Sequence, residues 1–271
     1  MTTGSALFPR LKRNEQRGSK PRCHLLTDGS DQEVAASLSK LVAPIATVSV
    51  SDQWMPRGFE MIEECQLHRR SRVHDSDLCD RLAAWWLPAD QLTDRTPNFD
   101  IAATCLVDGR PGILLVEAKA HDNELIRESA GRKVTSSEPK EQQPRRESSH
   151  KTIGAAIDEA RAGLTVQTGL NFRISRDTCY QMSNRFAWAW KLADSGIPVV
   201  LVYLGFVNAE DMAKDGRLLH SPEKWEQLVR SHSAAVVPDA IWNRKWTVSG
   251  QPFIPIIRSM SQPLTYLQAN R

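Results

Sequence analysis

Long apolar runs are missing from this chain of 271 residues. No stretch of about 18 apolar residues occurs, which excludes a membrane-spanning helix. The opening residues, Met1 to Pro9, lack a basic flank followed by an apolar core, so no secretory signal is read there. Cysteine is sparse. The five present, Cys23, Cys65, Cys79, Cys105 and Cys179, are odd in number and scattered, a poor basis for a disulfide framework. A reduced, cytoplasmic setting is the expectation. No internal repeat is visible, and no helix-turn-helix or zinc-finger signature supplies a reader of base sequence. A large charge excess is lacking too. The net charge of +3 permits contact with a phosphate backbone without requiring it.

What is present suits one sizeable domain with a full core: 41% of residues are hydrophobic and 25% charged. Residues 1–31 are polar and basic and read as a mobile arm or peripheral segment. Helices are expected over 32–43, 58–67, 76–87, 152–162, 178–194 and 222–232. Ser76 is the expected cap of the third, and Asp177 or Thr178 of the fifth. Strands are expected over 99–107 and 113–120, joined by the turn Asp108-Gly109-Arg110-Pro111-Gly112. Ile197 to Gly205 is a nearly continuous apolar strand, typical of one covered on both faces. Residues 127–151 have almost nothing apolar and read as a flexible insertion, able to touch a phosphate backbone without specificity. The tail, with Phe253 to Ile257, returns apolar surface to the body. Most of the eight tryptophans belong to the core by pattern.

Cys65, His68, His74 and Cys79 have zinc-like spacing on paper. Cys79 falls within a predicted helix and the loop is very short, so buried thiols and surface histidines are the simpler reading.

The informative pattern is Asp100, then sixteen residues, then Glu117-Ala118-Lys119. Side chains alternate along a strand, so Glu117 and Lys119 share a face. Closing the hairpin around Gly109-Arg110 sets Asp100 opposite Lys119, with Glu117 diagonal to it. Opposed Cβ atoms lie about 5 Å apart and diagonal ones within about 8 Å. Two carboxylates so placed repel, and a hard divalent cation relieves the repulsion. The bland alternative is a surface salt bridge, worth about 0–1 kcal/mol. The apolar run Ile113 to Val116 argues instead for an interior strand.

These residues resemble the PD-(D/E)XK nuclease superfamily. Glu117-Ala118-Lys119 fits its second motif, and Asn98-Phe99-Asp100 stands where Pro-Asp is usual, with Pro97 displaced by two positions. The resemblance covers about residues 76–205. It implies an α/β fold with a restriction-endonuclease-like mixed central sheet flanked by helices, bearing N- and C-terminal extensions. Residues 32–271 then form a single nuclease-like domain. The resemblance also implies Mg2+, with Mn2+ as substitute, held by Asp100, Glu117 and the Ala118 carbonyl. Lys119 would position water or stabilise charge. Gln181 matches a glutamine on the following helix in several branches. Arg185, one turn on, can meet the scissile phosphate. An upstream acid is left open among Asp77, Asp80, Glu60, Glu63 and Glu64. His121 to Glu124 reads as a solvated loop or helix cap.

The expected activity is metal-dependent hydrolysis of phosphodiesters, with DNA the expected partner and no membrane. The alternatives are a catalytically silent nucleic-acid-binding module of this fold and a scaffold whose acids are merely paired. DNA against RNA, endonuclease against exonuclease, and oligomeric state, a homodimer included, stay open.

Overall fold

The computed structural model describes residues 10–68, 72–92, 94, 96–132 and 143–264. Among them a seven-stranded mixed sheet carries helices on both faces. Its heart is a hairpin. Strand β5 (Ile101–Val107) runs antiparallel to β6 (Arg110–Lys119). The turn needs only two residues, Asp108 and Gly109, because both adopt positive φ, 50° and 73°. That geometry matches the twist of the flanking strands. Val107 therefore pairs with Arg110, and Ile101 with Val116. This register differs by two residues from the expected one. Continued by one step, it sets Asp100 opposite Glu117 rather than Lys119. A two-residue shift keeps every side chain on its face, so the three charged groups still share a side.

Strand β7 (Val199–Val207) lies parallel to β6, and β9 (Gln251–Ser261) parallel to β7, with the short β8 (Trp246–Val248) at that edge. On the other edge β1 (Ala46–Thr47) and β2 (Trp54–Met55) pair with β5. A separate two-stranded piece joins β3 (Cys65–Gln66) to β4 (Asn98–Phe99). Strand β6 is interior, buried from Gly112 to Lys119.

Parallel pairing of β6 and β7 demands a long crossover. Helices α5 (Gln143–Thr168) and α6 (Tyr180–Asp194) supply it. They cover the sheet face of Ile113, Leu115 and Tyr203, together with α3 (Ser76–Trp86) and α7 (Pro222–Ser233). The opposite face, with Leu114, Val116 and Val202, is covered by α1 (Ser19–Leu26) and α2 (Asp31–Val42). Ser30 and Glu33 close a reciprocal cap on α2.

Several expectations give way. Residues 10–31 are no arm: α1 is docked on the sheet, with Cys23 and Leu26 in the core and Arg22 2% exposed. The stretch 58–67 is not helical, because Cys65 and Gln66 take their backbone partners from β4 instead. Asp75, not Ser76, caps α3, accepting from the Leu78 N–H at 2.8 Å. Residues 143–151 of the expected flexible insertion belong to the 26-residue α5, whereas 133–142 lie outside the described residues. Neither Asp177 nor Thr178 caps α6. Cys179 holds that position at φ 43° without a side-chain cap, because its N–H and that of Tyr180 are drawn to the carbonyls of Ser129 and Ala130.

Candidate functional site

The C-terminal end of β6 delivers the expected side chains. Glu117 and Lys119 point to the α6 side, in line with Ile113 and Leu115. Asp100, between β4 and β5, accepts a hydrogen bond from the Ala118 N–H on its Oδ2 at 2.7 Å. Gln181 and Arg185, one turn apart on α6, both reach Glu117. The Gln181 Nε2 donates to Oε1 at 2.7 Å and the Arg185 Nε to Oε2 at 2.5 Å. The Lys119 ammonium also donates to Oε1. Glu117 is 1% exposed, Arg185 5% and Lys119 6%. Arg185 is held further by Asn184, whose Oδ1 accepts from its Nη1 at 2.6 Å, and its guanidinium lies 4.8 Å from the Phe99 ring centre.

The two acids are shifted in opposite directions. Burial, then the neighbouring Glu117 charge, pushes the Asp100 carboxyl well above the ordinary range, against the pull of Lys119. Burial also works to raise Glu117, but the charges of Arg185 and Lys119 outweigh it and hold that carboxyl below its ordinary value. Arg185 is raised in turn, because the Glu117 charge outweighs the effect of its burial. Both cations thus serve Glu117, and Asp100 carries the residual repulsion.

A cavity of about 550 Å³ opens beside this network. Its walls include Asp100, Gln181 and Arg185, joined by Glu64, Asn184 and Arg132. Among the candidate upstream acids the structure brings only Glu64 to the cavity. It accepts from Asn98 Nδ2 at 2.9 Å and pairs with Lys20 at 3.2 Å. Asp77, Asp80, Glu60 and Glu63 are exposed and line none of it.

Of the two readings of His121, solvated loop or helix cap, the second holds: it stands at the N-cap position of the helix Asp122–Ile126, without a side-chain cap bond. It is buried, in a bridge with Leu218, and α4 (Asp122–Ile126) follows it. The zinc-like cluster does not assemble. His74 and Cys79 approach to 3.5 Å, but His68 is buried against Thr96 rather than at the surface. Among the described residues no group of three or more His, Cys, Asp and Glu side chains is placed to hold a metal ion.

Sequence reasoning missed Asn184, Tyr180 and Arg132. Helical spacing from Gln181 could have found Asn184. Arg132 is not singled out within the segment 127–151, which reads as an insertion able to touch a phosphate backbone without specificity.

No family model, no curated protein and no solved structure matches the chain. No helix among the described residues is long and apolar enough to cross a membrane.

Proposed function

We propose that the protein is a Mg2+-dependent nuclease of the PD-(D/E)XK, restriction-endonuclease-like kind, hydrolysing phosphodiester bonds in DNA by attack of water. The observation that carries this reading is the meeting of Asp100 and Glu117 at the end of β6, with Lys119 on the same face and an open cavity alongside. The end of a parallel strand is where open α/β sheets take their ligands. The order hairpin, helical crossover, buried parallel strand adds support.

The donor set fits Mg2+, which is usually held by one or two carboxylates plus waters and substrate phosphate. Asp100 and Glu117 would be those carboxylates. The Ala118 N–H points at Asp100, and in an extended strand the carbonyl of the same residue leaves on the same side, so that oxygen would complete the protein's share. The acid–acid repulsion that raises Asp100 is what a dication relieves. When bound, the metal lowers the pKa of water and stabilises charge on a phosphoryl oxygen.

The chain's own groups do the rest. The Lys119 ammonium donates to Glu117, and its positive charge would orient the attacking water or meet the developing negative charge. Gln181 gives its amide N–H to Glu117, leaving its amide oxygen to accept from a water. Arg185 anchors two of its nitrogens on Glu117 and Asn184; its remaining N–H groups face the phosphate.

The test is incubation of a plasmid and of oligonucleotides with Mg2+ or Mn2+, beside Glu117→Ala and Lys119→Ala. Metal-dependent cleavage, lost in both variants, is the expected result. A second reading, a catalytically silent nucleic-acid-binding module, is favoured by the three donors already on Glu117. It predicts oligonucleotide binding without cleavage by the wild type.

A further inference from the structure

Arg132 lines the cavity together with Asp100 and Glu64. Its position is built, not incidental. The segment 129–132 runs against 176–180 through three backbone hydrogen bonds: Cys179 N–H to Ser129 O at 3.1 Å, Tyr180 N–H to Ala130 O at 3.2 Å, and Arg132 N–H to Arg176 O at 2.7 Å. Gly131 permits this approach, because a Cβ there would lie 2.3 Å from the Asp177 carbonyl oxygen. The Arg132 guanidinium is then steered by neutral groups. Its Nη2 donates to Ser149 Oγ at 3.1 Å, and the Tyr180 side chain lies close enough to interact with both Arg132 and Asn184.

The contrast with Arg185 is informative. Arg185 meets a carboxylate head-on. Arg132, among the described residues, is bonded to the Ser149 hydroxyl with Tyr180 beside it, and these neutral groups leave its charge unmatched. A guanidinium fork that lines a cavity and is itself bonded to no carboxylate among the described residues suits a phosphate. It is not the phosphate beside the acids. Arg132 is held by Ser149 on α5, whereas Arg185 and Lys119 bond directly to Glu117. Tyr180 and Asn184 stand between the two arginines on the cavity wall.

We propose that Arg132, oriented by Ser149 and Tyr180, holds a second backbone phosphate, next to the one cut, so that the substrate is a polynucleotide strand gripped at two phosphates. This rests on the nuclease reading for the identity of the first phosphate. It narrows the substrate class, since a phosphodiester with a single phosphate gains nothing from Arg132.

The experiment measures binding of a fluorescent single-stranded oligonucleotide, with Ca2+ replacing Mg2+, across a salt series. It compares wild type with Arg132→Gln and Arg132→Lys, each checked for an unchanged Tm. Arg132→Gln is expected to bind roughly tenfold more weakly, for one lost charge-assisted bond. Its plot of log affinity against log salt is expected to be shallower by about the one phosphate contact removed. Arg132→Lys keeps the slope. With Mg2+, Arg132→Gln raises KM for the oligonucleotide by a larger factor than KM for bis(p-nitrophenyl) phosphate, which has one phosphate. Unchanged affinity and slope in Arg132→Gln overturn the second subsite and leave the nuclease reading standing. Wild-type protein that binds with the expected slopes but cuts nothing keeps the subsite and removes the nuclease. Wild-type protein that binds no oligonucleotide removes both.

Discussion

Two arginines are buried among the described residues, and they have different surroundings. Arg22 lies on α1, at the face opposite the cavity, and is 2% exposed. It donates to the Gly18 carbonyl at 2.8 Å and pairs with Asp211. Burial works to raise Asp211, but the bond from Arg22 and that from the Gly18 N–H bring it below its ordinary value. One positive charge meets one negative charge, and no acid is left over. Around Arg185 the charges also balance in number, two cations and two acids, but not in place. Both cations bond to Glu117, whereas Asp100 accepts a backbone N–H and feels a pull from Lys119 that its burial and the Glu117 charge outweigh. A matched pair is weak evidence of function. An acid held at raised pKa beside an open cavity is the better sign of chemistry.

The sharpest test of this contrast is catalytic. Glu117→Gln and Lys119→Ala should lower metal-dependent cleavage by about 10³-fold, the scale of removing a group that stabilises transition-state charge. Arg22→Met should leave kcat within about twofold, since it touches neither the acids nor the cavity. Equal losses at both arginine sites, in a gel-based cleavage assay, would break the comparison.

Stability comes next. Stranding a fully buried charge costs about 3–5 kcal/mol. Glu117 in Arg185→Met keeps Lys119 and Gln181, so urea unfolding should show about 2–3 kcal/mol lost. Asp211 is 28% exposed at its side chain and can rehydrate, so Arg22→Met should cost about 1–2 kcal/mol. The reverse ranking would mean that the Glu117 network is self-sufficient without Arg185.

The pH dependence separates the acids by sign. Glu117 and Asp211 have depressed carboxyls, so their contribution is present above the ordinary carboxylate range and is lost as pH falls through their folded values. Asp100 does the opposite. Its folded form keeps a proton that the unfolded chain releases, so stability falls as pH rises from its ordinary value of 3.8 toward the raised one. Asp100→Asn should flatten that second limb, raise Tm by a few degrees at neutral pH and still abolish cleavage. Thermal melts across the pH range, with and without Mg2+, read all three.

The smallest effect is expected at Lys20 and Glu64. Their pair, with side chains 29% and 20% exposed, should be worth about 0.5–1 kcal/mol. Lys20→Ala should hardly move Tm, whereas Glu64→Gln should change oligonucleotide KM if this cavity-lining acid faces substrate. An unmoved KM would assign Glu64 to the rim alone.

The sequence by itself determined the hairpin, the apolar parallel strand behind it and the common face of Glu117 and Lys119. Alternation along a strand and apolar continuity are local properties, legible wherever the residues are written in order. It also brought Gln181 and Arg185 to one helix face, because 3.6-residue periodicity needs no partner. The tertiary structure alone decided the rest. The two-residue turn at Asp108-Gly109, which put Asp100 opposite Glu117, depended on backbone geometry that a five-residue turn signal left open. The choice of Glu64 among five acids, the docking of α1 and the arrival of Arg132 all arise from contacts between residues distant in the chain. Such contacts are set by which faces must be buried together, and no local pattern encodes that.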